Sequence, residues 1–126
     1  MKKFIMYGAG NIGRGFIGQV FSQGGYQVGF IDVNKEIIGA LNKDNEYPID
    51  IVSGNGTEEQ IVKNVYGIDG TDIELVSDEI ASADMMATAI GVNILKFIAT
   101  PLAIGLKKRF LQNKPNFDII ICENLI

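Results

Sequence analysis

Apolar positions fall in short runs, and their spacing alternates between the two periods of regular secondary structure. The continuous apolar run Phe4-Ile5-Met6-Tyr7 predicts a first, buried strand over residues 3–7. From Asn11 the apolar residues Ile12, Phe16, Ile17, Val20 and Phe21 recur at helical spacing, and Gly24-Gly25 stops the pattern. A second apolar run predicts a strand over about 27–32. Asn34 then stands where its side chain would cap a short helix carrying Ile37, Ile38 and Leu41 on one face. The order βαβα implies parallel strands joined by right-handed crossovers.

The rhythm breaks between 46 and 70. Ile49 and Ile51 alternate with Asp50 and Val52, Gly54-Asn55-Gly56 signals a turn, and Gln60 to Tyr66 returns as a strand. This predicts a β-hairpin excursion, either a wall on the adenine side of a bound nucleotide or an ornament at the sheet edge. Ile73-Glu74-Leu75-Val76 predicts a further strand, with a helix starting at Ser77-Asp78-Glu79. Met85 to Ile90 predicts a buried strand whose two methionines pack in the core. Helical spacing resumes from Asn93, and Thr100-Pro101 resembles an N-cap and first helical position, so two consecutive helices are expected. Lys107-Lys108-Arg109 is expected to complement the helix C-terminus and stay solvated. The last strand is expected over Phe117–Cys122. The apolar Leu125-Ile126 just beyond it is expected to mark a piece of a longer chain.

The candidate chemistry lies where the first strand meets the first helix. Gly8-Ala9-Gly10-Asn11-Ile12-Gly13 has the GxGxxG spacing. The first glycine allows a tight turn, the second lets backbone approach a pyrophosphate, and the third lets the helix pack closely on the sheet. The helix start directs free N–H groups and the positive end of its dipole at the phosphates. Asp32 closes the second strand about twenty residues later, where a carboxylate accepts hydrogen bonds from an adenosine ribose. With fifteen glycines in the chain the spacing alone is weak. A packing turn without a ligand would satisfy it, and Asp32 alone would serve as a helix cap. The whole string of strand, glycines, helix, strand and acid is far more specific. A carboxylate at Asp32 repels the 2′-phosphate of NADP and suits the free 2′-hydroxyl of NAD. Lys35 is close enough in sequence to soften that preference, while Val33 and Asn34 provide no arginine clamp. The expected architecture is α/β: a Rossmann-type, doubly wound, mostly parallel sheet with a small β-hairpin insertion.

Composition narrows the classes. The chain has 126 residues, enough for one domain with a single core. Its net charge of −4 argues against a nucleic-acid partner. No apolar stretch is long enough to span a bilayer, so no membrane partner is expected, and Met1-Lys2-Lys3 precedes too short an apolar run for a signal peptide. One cysteine excludes an internal disulfide and fits a reducing cytoplasm. Cys122, with no histidine to activate it, is expected to be a small core residue. The absence of histidine rules out histidine triads and His-bearing zinc sites, and no metal site is expected.

The string Gly8-Ala9-Gly10-Asn11-Ile12-Gly13-Arg14-Gly15-Phe16-Ile17-Gly18 resembles the start of the bacterial mannitol-1-phosphate 5-dehydrogenases, within the long-chain polyol dehydrogenase/reductase family. Asp32-Val33-Asn34, Thr88-Ala89-Ile90-Gly91 and Cys122-Glu123-Asn124 agree with it. The resemblance covers essentially the whole chain, but only the N-terminal part of such an enzyme. It implies that residues 1–126 are a Rossmann dinucleotide-binding domain. In this reading the pyrophosphate segment comprises Lys3, Phe4, Ile5, Met6, Tyr7, Gly8, Ala9, Gly10, Asn11, Ile12, Gly13 and Arg14. Arg14 has two readings, a pyrophosphate contact or a solvent-facing side chain. Asp32 is placed on the adenosine ribose, Thr88 and Ala89 beside the cofactor, and Glu123 and Asn124 toward the nicotinamide.

The resemblance further implies NAD as cofactor and hydride transfer between D-mannitol 1-phosphate and D-fructose 6-phosphate. The catalytic lysine, with its asparagine and histidine partners, belongs to a helical C-terminal substrate domain that has no counterpart here. The 126-residue stretch is therefore expected to bind NAD without turnover, and its partners are that domain and a small sugar or polyol phosphate. Two other classes remain. One is a nucleotide-sensing module without chemistry. The other is an S-adenosylmethionine-dependent methyltransferase, which uses a glycine turn and an acid but binds no pyrophosphate.

Overall fold

Alternating buried and exposed positions, capped helices and glycine breaks fold the chain into two sheets. The computed structural model describes residues 1–123. Strand β1 (Lys2–Tyr7) leads through the glycine turn into a helix that begins at Asn11. That helix contains a π-helical segment, Gly13–Ile17, and continues as α1 (Gly18–Gln23). Strand β2 (Tyr26–Asp32) follows, then α2 (Lys35–Asp44) and the hairpin of β3 (Glu46–Ser53) and β4 (Gly56–Lys63). Next come β5 (Val65–Asp69), α3 (Ile73–Ser82) and β6 (Met85–Thr88). A short α4 (Val92–Leu95), a 3-10 turn, α5 (Ala99–Leu111) and β7 (Asp118–Ile121) complete the order.

The main sheet has the order β5-β2-β1-β6-β7, and all four pairings are parallel. From β1 the chain moves outward to β2 and β5, then returns to place β6 on the other side of β1. The strand order reverses between β1 and β6, and a crevice opens outside the carboxyl ends of strands at such a point. Alternate residues of β1 feed two cores. Phe4 and Met6 pack with Val28, Phe30, Ile17, Leu41 and Tyr47 under α1, α2 and the hairpin. Ile5 and Tyr7 pack with Ile31, Ile68, Val76, Ile80 and Ile98 under α3 and α5. Each fully buried side chain of this size contributes about 1.5–3 kcal/mol.

Several elements match the expectations closely. Asn34 caps α2, its side chain accepting the Glu36 and Ile37 N–H groups. The hairpin turns where Gly54-Asn55 predicts, and Met86 is fully buried.

Others differ for physical reasons. The run Gln60–Tyr66 is divided at Asn64, whose φ of 60° turns the chain out of the hairpin. Val65–Asp69 then becomes the third strand of the main sheet. Ile73–Val76 is helical, because Asp72 accepts the Leu75 N–H and starts α3 at Ile73, four residues before Ser77. A four-residue apolar run is too short for periodicity to separate strand from helix. The break between the later helices falls at Lys96–Ile98, and Thr100 lies inside α5. On the first helix Gly13, Ile17 and Gly18 face the sheet, leaving Ile12, Phe16 and Val20 exposed. Glycines select that face because they allow the closest approach.

Arg109 is not solvated; it is 4% exposed. Its guanidinium donates to the carbonyls of Ile80, Ala81, Ala83 and Pro115, and lies 4.4 Å from the centroid of the Phe117 ring. The carbonyls at the end of α3 need donors, and a five-donor fork supplies them. Burial pushes its pKa down against the opposing pull of Asp84. Lys108 does stay near the surface, with Asp78 at 2.6 Å and Glu74 at 3.4 Å.

Candidate functional site

The three glycines of the turn meet three different surroundings. Gly8 has a φ of +115°, and a Cβ there would overlap the Ala89 carbonyl of the neighbouring strand end. Gly13 lies against the Gly8 carbonyl, so a Cβ there would overlap backbone and stand 3.2 Å from Met6 Cγ. A Cβ on Gly10 would have no atom within 4 Å. The first and third glycines are thus required by the protein's own packing. Nothing among the described residues requires the second, which borders open space at the mouth of the crevice. A pyrophosphate held against backbone amides fits that space, and this chain's residues are compatible with a dinucleotide.

Asp32 closes the other side. Its Oδ2 accepts the Ala9 N–H at 2.9 Å, and Oδ1 accepts the Asn34 N–H at 2.9 Å. The carboxylate therefore holds the glycine turn and the start of α2 together. Each oxygen retains a further lone pair for a ligand hydroxyl. The Gly8 N–H donates to the Ile31 carbonyl at 2.8 Å, which ties the turn to the end of β2. The Asp32 main-chain carbonyl accepts the Gly70 N–H at 2.9 Å, and Asp69 is the register neighbour of Asp32 on β5. Hydrogen bonds from the Thr71 hydroxyl and N–H hold the Asp69 carboxyl below its usual range.

Two clefts flank the loop after β6. One, of about 350 Å³, is lined by Tyr7, Gly8, Gly10, Asp32, Val33, Gly70 and the loop residues Ala89 and Ile90. The other, of about 530 Å³, is lined by Ile12, Ala89, Ile90, Gly91, Cys122 and Glu123. Glu123 clamps the loop between them, its two carboxylate oxygens accepting the Ile90 N–H at 3.0 Å and the Gly91 N–H at 2.9 Å. Thr88 is 2% exposed, and its Oγ1 is buried with no hydrogen-bond partner among the described residues. Cys122, expected in the core, is only partly buried and lines the larger cleft.

The expected site residues are therefore not all in one place. Tyr7, Gly8, Gly10, Asp32 and Ala89 surround the smaller cleft, and Ile12 borders the larger one. Phe4, Ile5 and Met6 are wholly buried, so their part is to form the strand that delivers Gly8. Lys3 lies at the opposite end of β1, with Glu79 at 2.6 Å. Arg14 lines grooves between the helix, α2 and β3, where Glu36, Asp44 and Tyr47 are its neighbours, and it borders neither cleft. Asn11 faces the same side as Arg14. Asn124 lies outside the described residues. The hairpin lines neither cleft; it braces the glycine helix from behind through Tyr47, which the alternation pattern did not single out.

Residues 2–126 match the family described as the mannitol dehydrogenase Rossmann domain. The chain belongs to that family. Membership implies a nucleotide cofactor. The chain is 47% identical over 128 residues to the mannitol-1-phosphate 5-dehydrogenase of Streptococcus mutans, covering 100% of this chain and 33% of that protein. It is 48% identical to the one from Lactococcus lactis subsp. cremoris MG1363, again covering 100% of this chain and 33% of the relative. A third, from Geobacillus stearothermophilus, is 45% identical and covers 97% of this chain and 32% of the relative. The chain thus spans about a third of the length of these curated relatives. Among solved structures, a Burkholderia pseudomallei protein described as exported superposes with a TM-score of 0.53 at 19% identity, covering 94% of this chain and 47% of the other. That likeness speaks for the fold alone. Among the described residues, no helix is long and apolar enough to cross a membrane.

Proposed function

We propose that this chain is the NAD-binding part of a mannitol-1-phosphate 5-dehydrogenase, an enzyme that interconverts D-mannitol 1-phosphate and D-fructose 6-phosphate. The observation that carries the reading is the open space over Gly10, set between a helix start and the Asp32 carboxylate. The amides following Gly10 receive the pyrophosphate, and the free lone pairs of Asp32 receive the adenosine ribose hydroxyls. Asp32 disfavours a 2′-phosphate by charge, which makes NAD rather than NADP the cofactor. Gly8, Ala89 and Thr88 shape the crevice wall between β1 and β6, and Glu123 fixes the loop at its far end. NAD supplies the hydride acceptor when bound; the chain's own residues bind and orient it.

The proton-transferring groups and the sugar-phosphate site belong to further chain, as the threefold greater length of the relatives suggests. Exposed Ile12, Phe16 and Val20 form an apolar stripe suited to packing against such a second domain. The single cysteine supports a place in the reducing cytoplasm. Titrating NADH, NADPH and S-adenosylmethionine into the 126-residue chain tests the reading. NADH binding should be tightest, with no steady-state mannitol 1-phosphate oxidation. Preferential binding of S-adenosylmethionine, or turnover by this chain alone, would overturn it.

A further inference from the structure

The hairpin holds the widened turn of the glycine helix through the hydroxyl of Tyr47. At the π-helical segment the Gly18 N–H bonds to the carbonyl of Gly13, five residues back. That bond releases the Arg14 carbonyl, which a regular helix would pair with Gly18. The Tyr47 hydroxyl donates to this carbonyl at 2.6 Å. Tyr47 is 9% exposed, and its ring meets Phe30 edge to face at 5.8 Å. Gly18 leaves room for it: a Cβ there would stand 2.5 Å from the Tyr47 hydroxyl and 2.6 Å from Phe30 Cζ. Burial pushes the phenol well above its ordinary value, against the pull of the Arg14 charge, so the hydroxyl keeps its proton to donate. A regular helix would set Gly13 and Gly18 roughly 140° apart around the axis. The widened turn brings both onto the face that packs on the sheet.

Arg14 joins this bond to the crevice. Its N–H donates to the Gly10 carbonyl at 3.0 Å, and its own carbonyl is held by Tyr47. The hairpin is fixed to the same helix at two other points. Gln60 Oε1 accepts the Gln23 side-chain amide at 3.1 Å, and the Ser22 hydroxyl donates to the Lys63 carbonyl.

We propose that Tyr47 is a positioning residue for the dinucleotide crevice, holding the π-turn that aims the amides after Gly10. The inference rests on the dinucleotide reading of that crevice. Without the hydroxyl, the Arg14 carbonyl recaptures the Gly18 N–H, the turn tightens to the regular register, and the amides rotate away from the diphosphate. The site then loses affinity for ligands with a diphosphate and keeps it for those without one.

The test compares Tyr47→Phe with the wild-type chain, titrating NADH, ADP-ribose and adenosine, with amide NMR on the free proteins. Tyr47→Phe is expected to weaken NADH and ADP-ribose about five- to tenfold, as for one lost hydrogen bond. Adenosine affinity is expected to stay the same, and the Gly18 amide resonance to shift. The double variant Ser22→Ala/Gln60→Ala loosens the hairpin while keeping the hydroxyl. It should move the same readouts less, and it carries the test if Tyr47→Phe does not fold. NADH affinity within twofold of wild type, or an equal loss for adenosine, would overturn the proposal. A wild-type chain that binds no NADH would overturn the dinucleotide reading itself.

Discussion

Alanine at Gly10 and at Gly13 should separate stability from binding within one motif. Gly10 is exposed, is not among the positive-φ residues, and offers a Cβ open space. Gly10→Ala removes backbone freedom from the unfolded chain at no steric cost, which stabilises by about 0.4–1 kcal/mol. For a chain of this size that raises the melting temperature by about 1–4 °C. The same methyl enters the space we propose for the diphosphate. Losing one charge-assisted amide contact costs about 1.5–3 kcal/mol, or about a 10- to 100-fold rise in the NADH Kd. Gly13→Ala instead forces its methyl into the Gly8 carbonyl, a backbone atom that cannot swing aside. Overpacking of that kind destabilises by about 1–3 kcal/mol.

Thermal melts with and without NADH read both effects at once. At a hundredfold excess over Kd the ligand should stabilise wild type by about 2.7 kcal/mol. Gly10→Ala should start higher and gain little from NADH, and Gly13→Ala should start lower. If Gly10→Ala bound NADH as wild type does, the diphosphate would not lie over Gly10, and the argument from open space would fail.

Asp32→Ala removes both the proposed ribose acceptor and the partner of the Ala9 N–H, so NADH should weaken at least tenfold while the penalty against NADPH shrinks. An unchanged NADH-to-NADPH ratio in fluorescence titration would remove Asp32 from cofactor selection. Arg109→Met leaves the four carbonyls on that guanidinium without their donor and should cost about 2–4 kcal/mol in urea unfolding. A loss under about 0.5 kcal/mol would show that the fork is dispensable. Burial raises the phenols of Tyr7, Tyr47 and Tyr66 above their ordinary 10.0, and for Tyr66 the Glu79 carboxylate adds to the rise. The fold favours their neutral form, so this stability is whole below pH 10 and declines as pH rises beyond it. Urea midpoints measured between about pH 8 and 11.5 should fall toward the alkaline end and fall less for Tyr66→Phe. A flat profile would contradict the burial of these groups.

Local chemistry made much of the fold legible. The glycine turn, the Asn34 cap and the Gly54-Asn55 turn each rest on residues adjacent in sequence, and each forms where expected. The errors arose where neighbours in space decide. Val65–Asp69 is a strand because β2 pairs with it along five residues, yet its string Val-Tyr-Gly-Ile-Asp has a glycine at its centre. Ile73–Val76 looked more like a strand than Val65–Asp69 did, and only the Asp72 cap distinguishes the two. Arg109 looked like one more cation in a basic cluster. Its burial follows from carbonyls at the end of α3 that are 26 to 29 residues distant.

The site divides along the same line. Asp32 was legible although it lies 23 residues from the Ala9 amide it holds, because a general rule of parallel α/β sheets places adjacent strand ends together. Tyr47 is 33 residues from the carbonyl it holds, and no such rule covers it. Its position depends on an insertion between α2 and β5 that the doubly wound topology neither requires nor forbids. The sequence does carry one trace of the contact. Two glycines, Gly15 and Gly18, follow the three that define the motif, and the motif has no use for either. In the fold the missing Cβ of Gly18 makes room for the Tyr47 hydroxyl. A Cβ on Gly15 would meet no atom within 4 Å, so of the two only Gly18 points to a distant side chain, and that side chain lies on the element whose role was hardest to read.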